Sequence, residues 1–463
     1  MEKRKNFTLL ATLALSLSML LSACGQQAAS PVPPTATTGA VAEQPTSTPE
    51  AEAADTPTAM AGETPGAGTG DFDPSAVKTI EVEEGATLRV SGWGNPSEQQ
   101  VTRDMLDRFT QVYPNVKINY EPIPDKYEDK IKTQISGGSE PDVFYVSAVL
   151  ADELIEANKL LKLNDHMTAM GISKDDYYEN LINIFSRDAD VYGLPKDFGS
   201  LAVFYNTDMV ASEPEKDWDW DAYKAWAEAN TKGTDPNTKV FGTMHPPDNA
   251  RWLAFAFANG ATIENINSPE AVAALDFYYG MVKDGTAAQA ADVGAGWPGE
   301  AFGKKRAAAV VEGGWMVPFL ADPAGGFSDV KYTAAPLPKA PNGERGNLIF
   351  TNAYGASANT KFPKAAAALI MFLSGPENQA VLMRTGFALP TVKGFENDPY
   401  FDDHPVDAVL FDTLNYGTVH YFGPEHGKIL DALNQALERV FRGEQGSQAA
   451  LDQAAQEIAD LMK

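Results

Sequence analysis

Histidine, cysteine and carboxylate are the side chains best suited to covalent or metal chemistry, and their spacing in this 463-residue chain points away from both. The five histidines, His166, His245, His404, His420 and His426, stand far apart without a His-Glu-x-x-His pair, and Cys24 is the only cysteine. A protein zinc site needs three or four such ligands, commonly with one closely spaced pair. No metal is therefore expected. Gly299-Glu-Ala-Phe-Gly303-Lys304-Lys305 has the outline of a phosphate loop, but it is one residue short and lacks the Ser or Thr that would hold magnesium. No Gly-x-Ser-x-Gly elbow occurs, and no dinucleotide fingerprint or other cofactor site is expected. Among 63 acidic residues some carboxylate pair will always be at hand, so a glycosidase pair carries no information here.

The elements that must position any site alternate between strand and helix. Thr87–Ser91 reads as a strand, and Ser97-Glu-Gln-Gln100 has capping-box spacing ahead of a helix whose Val101, Met105, Phe109 and Val112 share one face. Val116–Tyr120 follows as a strand, Asp125–Ser136 as a helix stopped by Gly137-Gly138, and Asp142–Val146 as a buried strand. Val203–Tyr205, Ala307–Glu312 and Gly355–Ala358 are further strand candidates between helices such as Ser268–Asp284 and Pro363–Leu373. This alternation predicts an α/β fold with a largely parallel sheet. The C-terminal stretch reads as helical, with stripes at Leu430, Leu433, Leu437, Phe441 and at Leu451, Ala454, Ile458, Leu461. Residues 78–463 are too many for one core, so two lobes are expected.

Ahead of these elements, Lys3, Arg4 and Lys5 precede an uncharged apolar run from Leu9 to Leu21 and then Leu21-Ser-Ala-Cys24. That run is too short for the roughly 20 residues of a membrane span and has the order of a signal peptide. Leu-Ser-Ala-Cys resembles the lipobox of bacterial lipoproteins, which implies cleavage after residue 23, lipidation of Cys24 and an extracytoplasmic, membrane-anchored protein. Residues 24–77 are rich in Ala, Thr, Pro, Gly and Glu and cannot bury enough surface to fold, so they predict a disordered tether. The formal charge of −27 argues against nucleic acid as a partner.

Six segments, taken in order, are similar to family 1 extracellular solute-binding proteins, the carbohydrate-binding lipoproteins of ABC importers. They are Trp93-Gly-Asn-Pro-Ser-Glu-Gln-Gln100, Gly137-Gly-Ser-Glu-Pro-Asp142-Val-Phe-Tyr145, Tyr192-Gly-Leu-Pro-Lys-Asp197, Asn265-Ile-Asn-Ser-Pro-Glu270, Glu312-Gly-Gly-Trp315 and Thr351-Asn-Ala-Tyr354-Gly. The resemblance implies a two-lobed, type II periplasmic-binding-protein-like fold with discontinuous lobes, a hinge and a helical C-terminus. The boundaries it implies are 78–200 and 351–392 for the N-lobe, with 201–350 and the helical 393–463 for the C-lobe. Chain crossings fall near Asp197–Tyr205, near Ala353–Ser357 and after about Leu389.

The same resemblance implies a monomeric receptor, not an enzyme, that holds a carbohydrate between its lobes and hands it to importer permease subunits. A sugar offers C–H faces to aromatic rings and hydroxyls to carboxylates and amides. The candidate ligand residues are Trp93 and Asn95, which follow the first strand, where the crevice of an open α/β sheet lies, Arg251 and Trp252 at a helix start, Trp297 in a Gly-rich loop, Asp142, and, by resemblance, Tyr145, Asp197, Tyr354 and Trp315, with Trp315 as the stacking aromatic of the second lobe. Trp218, Trp220 and Trp226 read instead as the start of a helix covering that lobe. Ala148 and Leu430 depart from the maltose-binding branch, so no particular sugar is assigned. A receptor for glycerol phosphate or a polyamine, and a surface glycoside hydrolase, stand as alternatives.

Overall fold

The computed structural model describes residues 72–94, 96–386 and 388–462. The signal segment, Cys24, the tether up to residue 71 and Asn95 lie outside the described residues. No helix among the described residues is long and apolar enough to cross a membrane.

Eight strands join in one sheet: β1 (Thr87–Ser91), β2 (Lys117–Tyr120), β3 (Val143–Ser147), β4 (Gly193–Asn206), β5 (Ala309–Gly313), β6 (Tyr332–Ala335), β7 (Leu348–Ala356) and β8 (Thr418–Val419). Their spatial order is β6-β4-β7-β3-β1-β2, with β5 beside β4 and β8 beside β7. The parallel pairs of this sheet are β1–β2, β1–β3 and β7–β8; β4 and β7 run antiparallel to each other, β3 pairs antiparallel to β7, and β5 and β6 pair antiparallel to β4. The expectation of a largely parallel sheet is thus corrected to a mixed one. The chain leaves one half of the sheet on β4 and returns on β7, and two strands crossing one boundary in opposite senses pair antiparallel.

Helices cover the sheet where the apolar periodicity places them. In α1 (Pro96–Val112), Met105 and Phe109 are fully buried, and each such side chain contributes roughly 1.5–3 kcal/mol of burial. The next helix, α2 (Tyr127–Ser136), opens after Lys126, whose left-handed φ of 50° turns the chain sharply. At the end of β3 the Ser147 hydroxyl accepts the Leu150 N–H and caps α3 (Ala148–Glu156). Farther along come α4 (Trp220–Asn230), α5 (Asn249–Ala258), α6 (Pro269–Lys283), α7 (Pro363–Leu373), α8 (Pro405–Asp412), α9 (His426–Phe441) and α10 (Ser447–Leu461). The buried stripe of α9 is Ile429, Leu433, Ala436, Leu437 and Val440, rotated from the expected one so that Leu430 and Phe441 are only half-buried.

Two hydrophobic cores form, and β4 feeds both. Leu201, Val203 and Tyr205 enter the core shared with α4, α5, α6, α9 and α10, while Ala202 and Phe204 point into the core that also holds β1, β3, α1 and α7. This alternation is the period-2 geometry of a strand buried on both faces. Trp218, Trp220 and Trp226 are all buried in the first of these, as expected for the start of a covering helix. The segment before β1 straps onto the other core. Its Glu83 carboxylate accepts the Lys364 and Ala365 N–H groups at 3.0 and 2.9 Å, capping α7.

Candidate functional site

The C-terminal ends of β1 and β3 carry an aromatic cluster. Beyond β1 the chain turns through Gly92, where an added Cβ would lie 2.5 Å from the Tyr145 ring, so only glycine allows this approach. Trp93 then packs edge-on against Tyr127 and Tyr145, with centroids 4.8 and 5.1 Å apart, and Tyr145 meets Tyr354 at 5.5 Å. The Tyr127 hydroxyl accepts the Tyr145 N–H at 2.9 Å, locking α2 to β3. Tyr145 and Tyr354 are fully buried, and Trp93, half-buried, is the member of this cluster that reaches the surface of the cleft.

Next to this cluster β4 contains a bulge. Asp197 pairs with Asn352 and Pro195 with Ala353, leaving Lys196 as the extra residue. A regular strand would send Lys196 and Asp197 to opposite faces; here their side chains form an ion pair. The Lys196 ammonium also sits 5.0 Å from the Tyr145 ring centroid. Burial, the largest influence, works against its charge, yet Asp197 and Tyr145 hold its pKa above the ordinary lysine value. Asn352 donates to the Asp197 carboxylate at 3.2 Å.

Across from these, β5 ends in Glu312-Gly313 and delivers Trp315, 39 % exposed and the one large aromatic that stands out to solvent among the described residues. Its ring lies over Gly313, where a Cβ would be 2.3 Å from the ring. Its indole N–H donates to Glu312 at 2.8 Å, and its edge meets Phe350 at 5.7 Å. Glu312 is completely buried and paired with Arg251 at 2.6 and 2.7 Å. Burial lifts the Glu312 carboxyl above its usual range even with the guanidinium beside it.

A cleft of about 360 Å³ joins the two sides, lined by Trp315 and Phe350, by Asp197 and Asn352 at the bulge, and by Glu98 and Asp407. Through Glu98, Asp197 and Ala388 it continues into a small recess beside Trp93 and Tyr145. Asn352 and Trp93 then lead to a shallow hollow of about 440 Å³ bordered by Lys126, Glu128 and Ser147. Asp407 accepts the Tyr400 hydroxyl at 2.6 Å, and burial raises its pKa. A separate hollow of about 410 Å³ around Phe257, Ile263 and Tyr421 shares none of these residues.

Of the residues singled out in the sequence, Asp197 and Trp315 therefore line the cleft, Trp93 and Tyr145 line the recess that opens from it at Asp197, and Tyr354 backs that recess from beneath Tyr145. Four others are placed elsewhere. Asp142 stands at the opposite end of β3, where its carboxylate accepts the Arg89 N–H at 2.8 Å and the Thr360 hydroxyl at 2.6 Å, a brace between segments. Trp252 is fully buried in the core around α5 because its position on that helix faces inward. Arg251 is turned to Asp248 and Glu312 and lines no cavity of the cleft. Trp297 packs edge-on against Phe319 at 4.7 Å, away from the cleft. The segment around it, Gly294-Ala-Gly296-Trp-Pro-Gly299, does carry the Gly-x-Gly-x-x-Gly spacing that the sequence reading passed over. It follows a single 3-10 turn, Ala290–Val293, and enters the six-residue helix Pro298–Gly303, so it lacks the strand that a dinucleotide cradle needs.

The sequence reading missed Glu98, Phe350, Asn352 and Asp407. Phe350 and Asn352 alternate along β7 and share a face, a signal readable from period 2 once that strand is recognised. In the sequence Glu98 stands out only as a residue of the capping-box spacing Ser97-Glu-Gln-Gln100. Nothing local marks Asp407, which reaches the cleft through the packing of α8 against β4, where the Ser200 hydroxyl donates to the Leu410 carbonyl at 2.8 Å.

Residues 104–406 match the family model described as bacterial extracellular solute-binding protein. The chain is similar to the galactooligosaccharide-binding protein of Bacillus subtilis, 23 % identical over 386 residues that cover 80 % of this chain and 89 % of that one. It is also similar to the maltotriose-binding protein of Pyrococcus abyssi, at 24 % over 397 residues, 79 % of this chain and 80 % of the other. Among solved structures, an ABC substrate-binding protein of Listeria monocytogenes in complex with cycloalternan superimposes with a TM-score of 0.71, covering 82 % of this chain and 99 % of that one at 24 % identity. The fold is accordingly the two-lobed type II periplasmic-binding-protein fold.

Proposed function

Because this chain belongs to the bacterial extracellular solute-binding proteins, we propose that it is a receptor that captures a carbohydrate in the cleft between Trp93 and Trp315 and delivers it to an ABC importer. One observation carries the reading: an exposed tryptophan face, Trp315, opens onto a cleft in which the carboxylates of Glu98, Asp197 and Asp407 and the amide of Asn352 stand among apolar side chains such as Phe350 and Leu389. Stacking that buries about 50 Å² of sugar C–H surface contributes roughly 1.2 kcal/mol. A hydrogen bond to a charged group adds roughly 1.5–3 kcal/mol. Micromolar affinity corresponds to about 8 kcal/mol, so several contacts are needed, and the cleft supplies candidates in Trp93, Glu98, Asp197, Trp315 and Asn352. The names of its relatives, which bind galactooligosaccharide and maltotriose, support the same ligand class.

The cleft borders carry Glu98, Glu128, Asp129, Asp197 and Asp407 against Lys126 and Lys196, a balance that repels a phosphate-bearing solute. Closure of the lobes, with boundaries as inferred from the sequence, is a hinge motion about β4 and β7 that ligand contacts on both sides favour. The receptor is monomeric, and a diacylglyceryl group on Cys24 keeps it within a tether length of its permease, raising its local concentration there.

Calorimetric titration with a panel of mono- and oligosaccharides, glycerol 3-phosphate and spermidine tests the proposal. Saturable binding of a saccharide at one site per chain is expected. Saturation by glycerol 3-phosphate or spermidine alone overturns the ligand class. For the anchor, metabolic labelling with palmitate in a bacterial host should mark the exported full-length chain and not its Cys24→Ala variant; equal labelling of both overturns it.

A further inference from the structure

Three features fix the Trp315 ring: the hydrogen bond from its indole N–H to Glu312, the bare backbone of Gly313 beneath it, and the edge of Phe350. The first depends on an arrangement costly to stability. Glu312 is completely buried, and its partner Arg251 is 15 % exposed, held in turn by Asp248 at 2.9 Å. Desolvating a carboxylate and a guanidinium commonly costs as much as their attraction returns, and well-packed apolar residues of the same volume do as well or better. Stability alone therefore gives little reason for this pair. What an apolar pair could not supply is an acceptor held at one place for the indole N–H, 2.8 Å away.

We infer that Glu312 and Arg251 are positioning residues that hold Trp315 in its ligand-facing orientation before ligand arrives. The inference rests on the reading of Trp315 as a stacking face for carbohydrate. Asp248 caps the first turn of α5 through the Arg251 N–H and also holds the Arg251 guanidinium, so the chain of contacts runs from a helix start through a buried ion pair to the ring. A ring held in place beforehand loses less side-chain freedom on binding, which favours affinity without any direct contact from Glu312 or Arg251.

The test uses the free full-length chain first and maltotriose second. In ¹H–¹⁵N spectra the Trp315 indole signal, assigned by its absence from Trp315→Phe, should lie at the shift of a hydrogen-bonded indole. Glu312→Gln keeps an acceptor oxygen and should leave it nearly in place. Removing both charges in Arg251→Met/Glu312→Leu avoids an uncompensated buried ion, and a thermal melt confirms that this variant folds. There the signal should move to that of a free indole, and maltotriose affinity should fall about tenfold, with Glu312→Gln within threefold of wild type. An unchanged indole signal in the double variant overturns the inference, as does a shifted signal with affinity unaltered. If wild type binds no saccharide, the proposed function fails, and the indole signal still decides whether Glu312 and Arg251 position the ring.

Discussion

Trp315 is exposed because its neighbours give its ring somewhere to lie and something to bond. Replacing Gly313 with Ala puts a Cβ 2.3 Å from the far edge of the ring, which can swing aside because it is the free end of a side chain. Gly313→Ala is therefore expected to change unfolding free energy by less than about 1 kcal/mol while lowering saccharide affinity about tenfold; urea melts and calorimetry separate the two effects. In the sequence Trp315 is marked as the stacking aromatic only by its place in the Glu312-Gly-Gly-Trp315 segment that resembles the family. Trp252 offered no such mark. Its burial depends on which way α5 packs, and that is decided by partners far away in the chain. Asp142 and Asp197 are the same residue type near strands, yet one braces Arg89 and Thr360 and the other faces the cleft, because Asp142 stands at the far end of β3 while Asp197 lies beside the cleft at the bulge of β4.

Elements were readable wherever one face is apolar at a clean period. β1 forms at the residues expected, and α7 does too, since its Pro363 and its run of small and aliphatic residues leave little choice. β4 and β7 were legible only as fragments. Their polar cleft residues interrupt the apolar run, and the bulge at Lys196 breaks the alternation from which register is read. The strap ahead of β1 showed nothing in sequence of its role as a helix cap. Glu83→Ala should cost about 1 kcal/mol, the usual loss for a helix cap, seen as a lower urea midpoint with saccharide affinity unchanged. An unchanged midpoint would mean water satisfies the α7 N–H groups equally well.

At the scale of the whole molecule, acid should loosen the core around α4 and α6 first. His245 there is fully buried, donating from Nδ1 to the Tyr278 carbonyl at 3.0 Å and accepting from the Tyr223 hydroxyl at Nε2, 3.1 Å away. Burial holds its pKa down to about 4, against about 6.5 in an unfolded chain. Between those values the unfolded chain binds the proton and the native one does not, so stability present above pH 6.5 is lost as pH falls towards 4, by up to about 3 kcal/mol. His420, also lowered to about 4 by burial, acts in the same direction. Urea midpoints should drop across that window, and less steeply in His245→Gln; identical slopes would assign the loss to other groups. Two lobes are expected from length alone, whereas their type II periplasmic-binding-protein arrangement is legible only through the ordered motifs of the solute-binding family.

The claim on which the rest depends is that saccharide is held in the cleft through Trp315. Side-by-side calorimetric titration of wild type and Trp315→Ala with the tightest saccharide of the panel tests it most directly. One site per chain in wild type and a loss of affinity of at least tenfold in the variant are predicted. Equal affinity in the two proteins would contradict it, because the ligand would then be held without the only large aromatic side chain that the described structure leaves open to solvent.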